Sequence, residues 1–172
     1  MANSTVSRMV TPKALTAIEI AQTVSRLTGT EVSVRRVRHL LVVSGLGTEL
    51  QTRQHGQTRL FGVLDLALVR LAIELERQGI SAWVGRVVLT YLRDDLVRAF
   101  RSAAPVALAV RGVRATLEPA LKMKPPNLVA WVPLQDVWRG LDAQVVAIRA
   151  GKPTVWMWSE VPAHAVKRST LV

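Results

Sequence analysis

The sequence predicts an α+β fold in two parts, and three observations carry that expectation. From about residue 13 to 100, apolar residues recur mostly at helical spacing. From 101 onward, Pro105, Pro119, Pro125, Pro126, Pro133, Pro153 and Pro162 cut the chain into pieces too short for long helices. Those pieces mix strand-like alternation with one helical stripe. A length of 172 residues suits one domain or two small ones. The expected organisation is a loose tail over 1–12, a helical domain over 13–100 and a small α+β unit over 101–172.

Met1 to Val10 bears Ser and Thr without periodicity. Thr16 and Glu19 then form an S/T-x-x-E capping box, which starts a helix over Ala17–Leu27 with a stripe of Ile20, Ala21, Val24 and Leu27. Gly29 ends it, and a short turn leads to Ser33, a good N-cap. Val34, Val37, Leu40 and Leu41 give the next helix, 33–44, an apolar stripe, and Gly45 is placed for a left-handed cap. Winding at roughly 100° per residue turns Arg35, Arg36 and His39 outward, with Arg38 on the flank. Helix, turn and basic helix make a helix-turn-helix. A basic outer face suits a major groove, where arginine bonds phosphates or grips guanine edges. The bland alternative is a solvated charged face. Val42 and Val43 also point outward, toward thymine methyls, a wing or a partner chain.

Gly45 to Gly62 is polar, with Arg53, His55, Gln57, Thr58 and Arg59 around Gly56. It reads as a two-stranded wing over 53–61 anchored by Leu60 and Phe61, or else as a solvated loop. Leu64, Leu68, Leu71 and Leu75 predict a helix over Val63–Gln78, stopped by Gly79. Ser81 caps another, whose broad apolar face of Val84, Val87, Val88, Tyr91 and Leu92 keeps step with Leu96 and Phe100. One helix is therefore expected to run as far as Phe100.

In the last third, Val106, Leu108 and Val110 alternate as in a strand, while Val106, Val110, Val113 and Leu117 also fit a helix. Leu128 to Val132 reads as a buried strand, Leu134 to Ile148 as one helical stripe, and Thr154 to Ser159 as a further strand. Four of the five tryptophans, Trp131, Trp138, Trp156 and Trp158, fall here. They would line a ligand pocket, form a dimer hot spot or fill a small core, with core or dimer preferred. Basic residues such as Arg111, Arg114, Arg139 and Arg149 would extend a polyanion footprint into this unit.

With these parts in order, residues 15–92 resemble the MerR-type winged-helix DNA-binding family. The resemblance rests on the capped first helix, VSVRRVRH (Val32 to His39), SGL (Ser44 to Leu46), GQTRLF (Gly56 to Phe61) and ERQGIS (Glu76 to Ser81). It implies a winged helix-turn-helix, with Ser33, Arg35, Arg36, Arg38 and His39 on the recognition helix and Gln57, Thr58 and Arg59 on the wing. His39 departs from the family's usual tyrosine, Leu40 and Leu41 replace the following Tyr-Glu, and Phe61 replaces a wing tyrosine. Residues 101–172 do not resemble the family's long dimer helix.

The formal charge of +11, carried mostly by arginine, favours a polyanionic partner. The absence of cysteine excludes disulfides, thiolate metal sites and cysteine catalysis. The scattered His39, His55 and His164 suggest no metal site, and Asp94 and Asp95 point different ways on a helix, so no enzyme is expected. No cofactor is called for, and no small-molecule effector is specified. Without a bilayer-spanning run or a signal-peptide core, the expectation is a cytoplasmic protein with no membrane partner. The expected function is sequence-specific binding of double-stranded DNA by a homodimeric transcription regulator. The alternatives are an architectural or recombination-directing factor, or a protein-interaction adaptor using the tryptophan-rich unit.

Overall fold

The computed structural model describes residues 15–47, 60–112, 114–120 and 127–150. They form a mixed α+β structure with two small antiparallel sheets. Strand β1 (Leu15–Thr16) leads directly into α1 (Ala17–Thr28). Here the capping box forms as the sequence predicts. Thr16 Oγ1 accepts from the Glu19 N–H at 3.2 Å, and the Thr16 N–H donates back to Glu19 Oε2 at 2.7 Å. Strand β1 itself is not evident from the sequence, because two residues carry no periodicity. It pairs with β2 (Leu60–Phe61) in the register Leu15 to Phe61. The expected anchor residues of the wing are thus tied to the chain just before α1.

Helix α2 (Val34–Arg38) starts at Ser33 and passes into a π-helical turn over His39–Val43. The expected single helix over 33–44 is therefore two geometries joined end to end. The π turn carries an additional residue per turn, seen in the bond from the Ser44 N–H to the His39 carbonyl at 2.9 Å. Leu40 and Leu41 remain buried, whereas Val42 and Val43 stay exposed.

Helix α3 (Val63–Arg77) is the centre of the molecule. Leu64, Leu68, Leu71 and Leu75 are buried as predicted, but so are Leu66, Val69 and Ile73 on other sides of the helix. A helix apolar all round belongs inside, between two layers. Next come α4 (Ala82–Tyr91) and α5 (Arg93–Ser102), separated at Leu92. This break corrects the expected continuous helix to Phe100, although Leu96 and Phe100 do face the core. The broad apolar face of α4 also divides. Val88, Leu89 and Leu92 are buried, while Val87 and Tyr91 are exposed.

The last third begins with β3 (Val106–Arg111) and β4 (Arg114–Pro119), which resolves the ambiguity between strand and helix in favour of strand. Strand β5 (Ala130–Pro133) completes a sheet of order β4-β3-β5. The expected single stripe from Leu134 to Ile148 is two helices, α6 (Leu134–Trp138) and α7 (Leu141–Arg149). Gly140 separates them with φ +79°, a value that a side chain would oppose. One face of the sheet, through Leu108, Val110, Ala130 and Val132, joins the same buried cluster as α1 to α5. The outer face buries Ala107, Ala109, Leu128 and Trp131 together. The chain before and after residue 100 thus shares one apolar core.

Polar bonds fasten the same join. Arg70 of α3 donates to the carbonyls of Val137 and Arg139 at 2.6 and 2.7 Å. Burial pushes the Arg70 guanidinium below its ordinary value, with the nearby Glu74 and Asp136 carboxylates opposing that shift. Gln78 uses both ends of its amide on β5: Oε1 accepts from the Trp131 N–H at 2.8 Å, and Nε2 donates to the Trp131 carbonyl at 3.0 Å. Arg149 Nε donates to Glu19 Oε1 at 2.7 Å, clamping the end of α7 to the start of α1. Partial burial pushes the Glu19 carboxyl up, but its bonds from Arg149 and Thr16 bring it net below its ordinary range.

Candidate nucleic-acid interface

The basic helix α2 is held by α1 through hydroxyls that the apolar stripe does not reveal. Ser25 Oγ donates to the Ala21 carbonyl at 2.7 Å and accepts from the Val32 N–H at 2.9 Å. Thr28 Oγ1 donates to the Val24 carbonyl at 2.8 Å and accepts from the Thr30 N–H at 3.3 Å. The turn between α1 and α2 is therefore fixed at two points by side chains from the last turns of α1. Ser33 Oγ then accepts from the Arg36 N–H at 3.2 Å, capping α2. Val37 buries completely, which fixes the rotation of α2 about its own axis.

That rotation leaves Ser33, Arg35, Arg38 and His39 exposed. Arg36 differs from them. It is half-buried and forms an ion pair with Glu76 near the end of α3. A guanidinium engaged in this way is a tether between α2 and α3, which sets Arg36 apart from the other residues expected on the contact face. In exchange, Arg86 of α4 joins the face, its Nη1 lying 3.4 Å from His39 Nε2. The sequence gives no signal for Arg86, because it lies about fifty residues further along the chain. Four groups thus stand close together: Arg35, Arg38, His39 and Arg86.

The turn after the π segment is tightly built. The Gly47 N–H donates to the Leu41 carbonyl at 3.0 Å, and a Cβ on Gly47 would lie 2.7 Å from that same oxygen. Only glycine allows that approach. Arg93 at the start of α5 donates to the Gly47 carbonyl at 2.7 Å, so the exit of the π segment is fixed from the α4–α5 junction.

The expected wing residues Arg53, Gln57, Thr58 and Arg59 lie outside the described residues, as do Trp156 and Trp158. Trp131 and Trp138 are placed. Trp131 is only 7% exposed within the outer cluster of the sheet. Trp138 packs against the main core, its ring 5.5 Å from that of Phe100 at an angle of 31°. Trp131 is thus buried and Trp138 partly buried, each packed against apolar neighbours of its own chain. Several basic residues of the last third also have intramolecular partners. Arg111 binds Glu118 with two bonds, Arg139 lies 3.5 Å from Asp136, and Arg149 holds Glu19. The Arg111 guanidinium, with help from Thr116, holds the Glu118 carboxyl down at about 2.

Among the described residues, no group of three or more His, Cys, Asp or Glu side chains is arranged to hold a metal ion, and no helix is long and apolar enough to cross a membrane. Compared with family models, with curated proteins and with solved structures, the chain matches none.

Proposed function

We propose that this chain is a sequence-specific DNA-binding protein, acting as a homodimeric transcription regulator on an inverted-repeat site. The observation that supports this reading is the exposed set Arg35, Arg38 and His39 on and just after a short helix whose rotation is fixed from α1 and α3, with the half-buried Arg86 of α4 beside His39. Rigid presentation is what base reading requires, because a bidentate arginine contact needs its fork held in register with the guanine edge. A formal charge of +11 supports the same reading, since phosphate contacts supply most of the non-specific affinity. The winged helix-turn-helix arrangement, with α2 in the major groove and residues 53–61 over the flanking backbone, is part of the proposal.

The deciding experiment is selection of binding sites from a random DNA pool, followed by the salt dependence of the selected sites. A recurring motif that stays bound at physiological salt is the expected result. Binding without a motif, abolished as salt rises, would overturn sequence-specific recognition and leave a basic protein with general polyanion affinity.

A further inference from the structure

Arg35 and Arg38 are exposed on α2, and His39 follows them, exposed as well. A guanidinium carries only donors, so the two arginines can give hydrogen bonds to a ligand and accept none. An imidazole is ambiguous. In its neutral form one ring nitrogen donates and the other accepts, and the bond made by one nitrogen sets the role of the other.

The surroundings of His39 resolve that ambiguity. Its backbone is held on both sides: the His39 N–H donates to the carbonyls of Arg35 and Arg36, and its carbonyl accepts from the Ser44 N–H at 2.9 Å. Leu40 and Leu41, next along the chain, are buried. The ring meets α4, where Arg86 Nη1 lies 3.4 Å from His39 Nε2. Burial of Gly85, Val88 and Leu89 fixes the roll of α4, and Arg86 is itself half-buried. Because a guanidinium only donates, Nε2 is the accepting nitrogen and the ring proton sits on Nδ1. Among the described residues no other hydrogen bond engages the ring, so Nδ1–H is what the exposed His39 offers to a ligand.

Major-groove edges differ in what they return to a donor. Guanine presents N7 and O6, adenine N7 and thymine O4 as acceptors, whereas cytosine presents only its N4 amino donor. A histidine free to exchange its ring proton could meet either kind of edge. One held with the proton on Nδ1 sets donor against donor at cytosine.

We propose that Arg86 is a positioning residue that fixes His39 as a hydrogen-bond donor, so that His39 rejects cytosine at the base it reads. This rests on the DNA-binding reading above and adds to it the edge chemistry that one position of the site must have.

Two measurements on the full chain test it. Nitrogen-15 NMR of the neutral imidazoles reports which ring nitrogen is protonated, and His39→Gln identifies the His39 signals among those of the three histidines. The expected result is Nδ1–H in the wild type, a mixture of both forms in Arg86→Ala, and Nδ1–H again in Arg86→Lys, which also only donates. Should Arg86→Ala fail to fold, Arg86→Met keeps the stem without the donors. Competition between the DNA site selected from a random pool and its single-base variants is the second measurement. The wild type should reject cytosine at one position by roughly tenfold, the scale of one unsatisfied donor. Arg86→Ala and His39→Ala should each lose most of that rejection, at that position alone, and the double variant should lose no more. An Nε2–H ring in the wild type, a ring indifferent to Arg86→Ala, or an Arg86→Ala variant that weakens every site alike would overturn the proposal. Nδ1–H held by Arg86 in a protein that selects no DNA motif would count against the proposed function, and with it against base reading by His39, and leave the pairing of the two side chains standing.

Discussion

Arg35 and Arg36 are neighbours in sequence and have different tasks in the structure, a difference the composition of α2 conceals. Helical winding places both outward, but only the tertiary position of Glu76 shows that Arg36 is engaged. If Arg35 reads a base, Arg35→Ala should lose discrimination between sites by roughly 1–3 kcal/mol, measured as competition between the selected site and single-base variants. Arg36→Ala should leave that discrimination unchanged and lower stability by up to about 1 kcal/mol, the scale of a partly exposed ion pair. Equal loss of discrimination in both variants would return Arg36 to the contact face. At the other end of the chain, Glu118 has a folded pKa depressed to about 2. A carboxyl depressed on folding stabilises the native state above its unfolded value, and that contribution fades as pH falls toward the folded one. The expected outcome is a Glu118 carboxyl titrating near pH 2 by NMR in the wild type, and moving up toward the ordinary carboxylate range in Arg111→Ala.

Among elements, those with strong local chemistry were legible and those decided by tertiary contact were not. Thr16, Glu19, Ser33 and Ser81 announce their helix starts, because capping bonds span only three residues. The break at Leu92 and the π turn at His39 carry no such marker: the apolar residues keep helical step through both, and the backbone bends to satisfy packing elsewhere. The edge of β5 is a similar case. Among the described residues no strand pairs with its far edge, and Gln78 bonds both polar atoms of the Trp131 backbone there. Nothing in the sequence around Gln78 distinguishes it from a solvated helix-end residue. Gln78→Ala removes the partner of both groups, and is expected to cost about 1–3 kcal/mol by denaturant titration. It also frees a strand edge, so faster aggregation is expected alongside the loss. An unchanged midpoint would show that solvent replaces the amide without cost.

At the scale of the whole molecule, α3 decides how the chain folds. Its sequence, with apolar residues on nearly every side, is the signal that two layers meet on it, although a stripe of four leucines draws attention to one side alone. Winding at roughly 100° per residue puts Leu66 and Ile73 on the same side as Arg70, which holds α6. Residues 13–100 without the rest would therefore expose that side of α3 to water. The full chain is expected to unfold in one cooperative transition, with helix content and tryptophan fluorescence lost at the same temperature. Leu66→Ala opens a cavity in the shared core and should cost about 2–5 kcal/mol while keeping the transition single. Two separate transitions, with Leu66→Ala shifting only one, would mean that the helical part and the three-stranded unit fold independently and merely touch. A single shifted transition ties the interface helix to the last third, because the core that positions α2 for its contacts then depends on residues beyond 100.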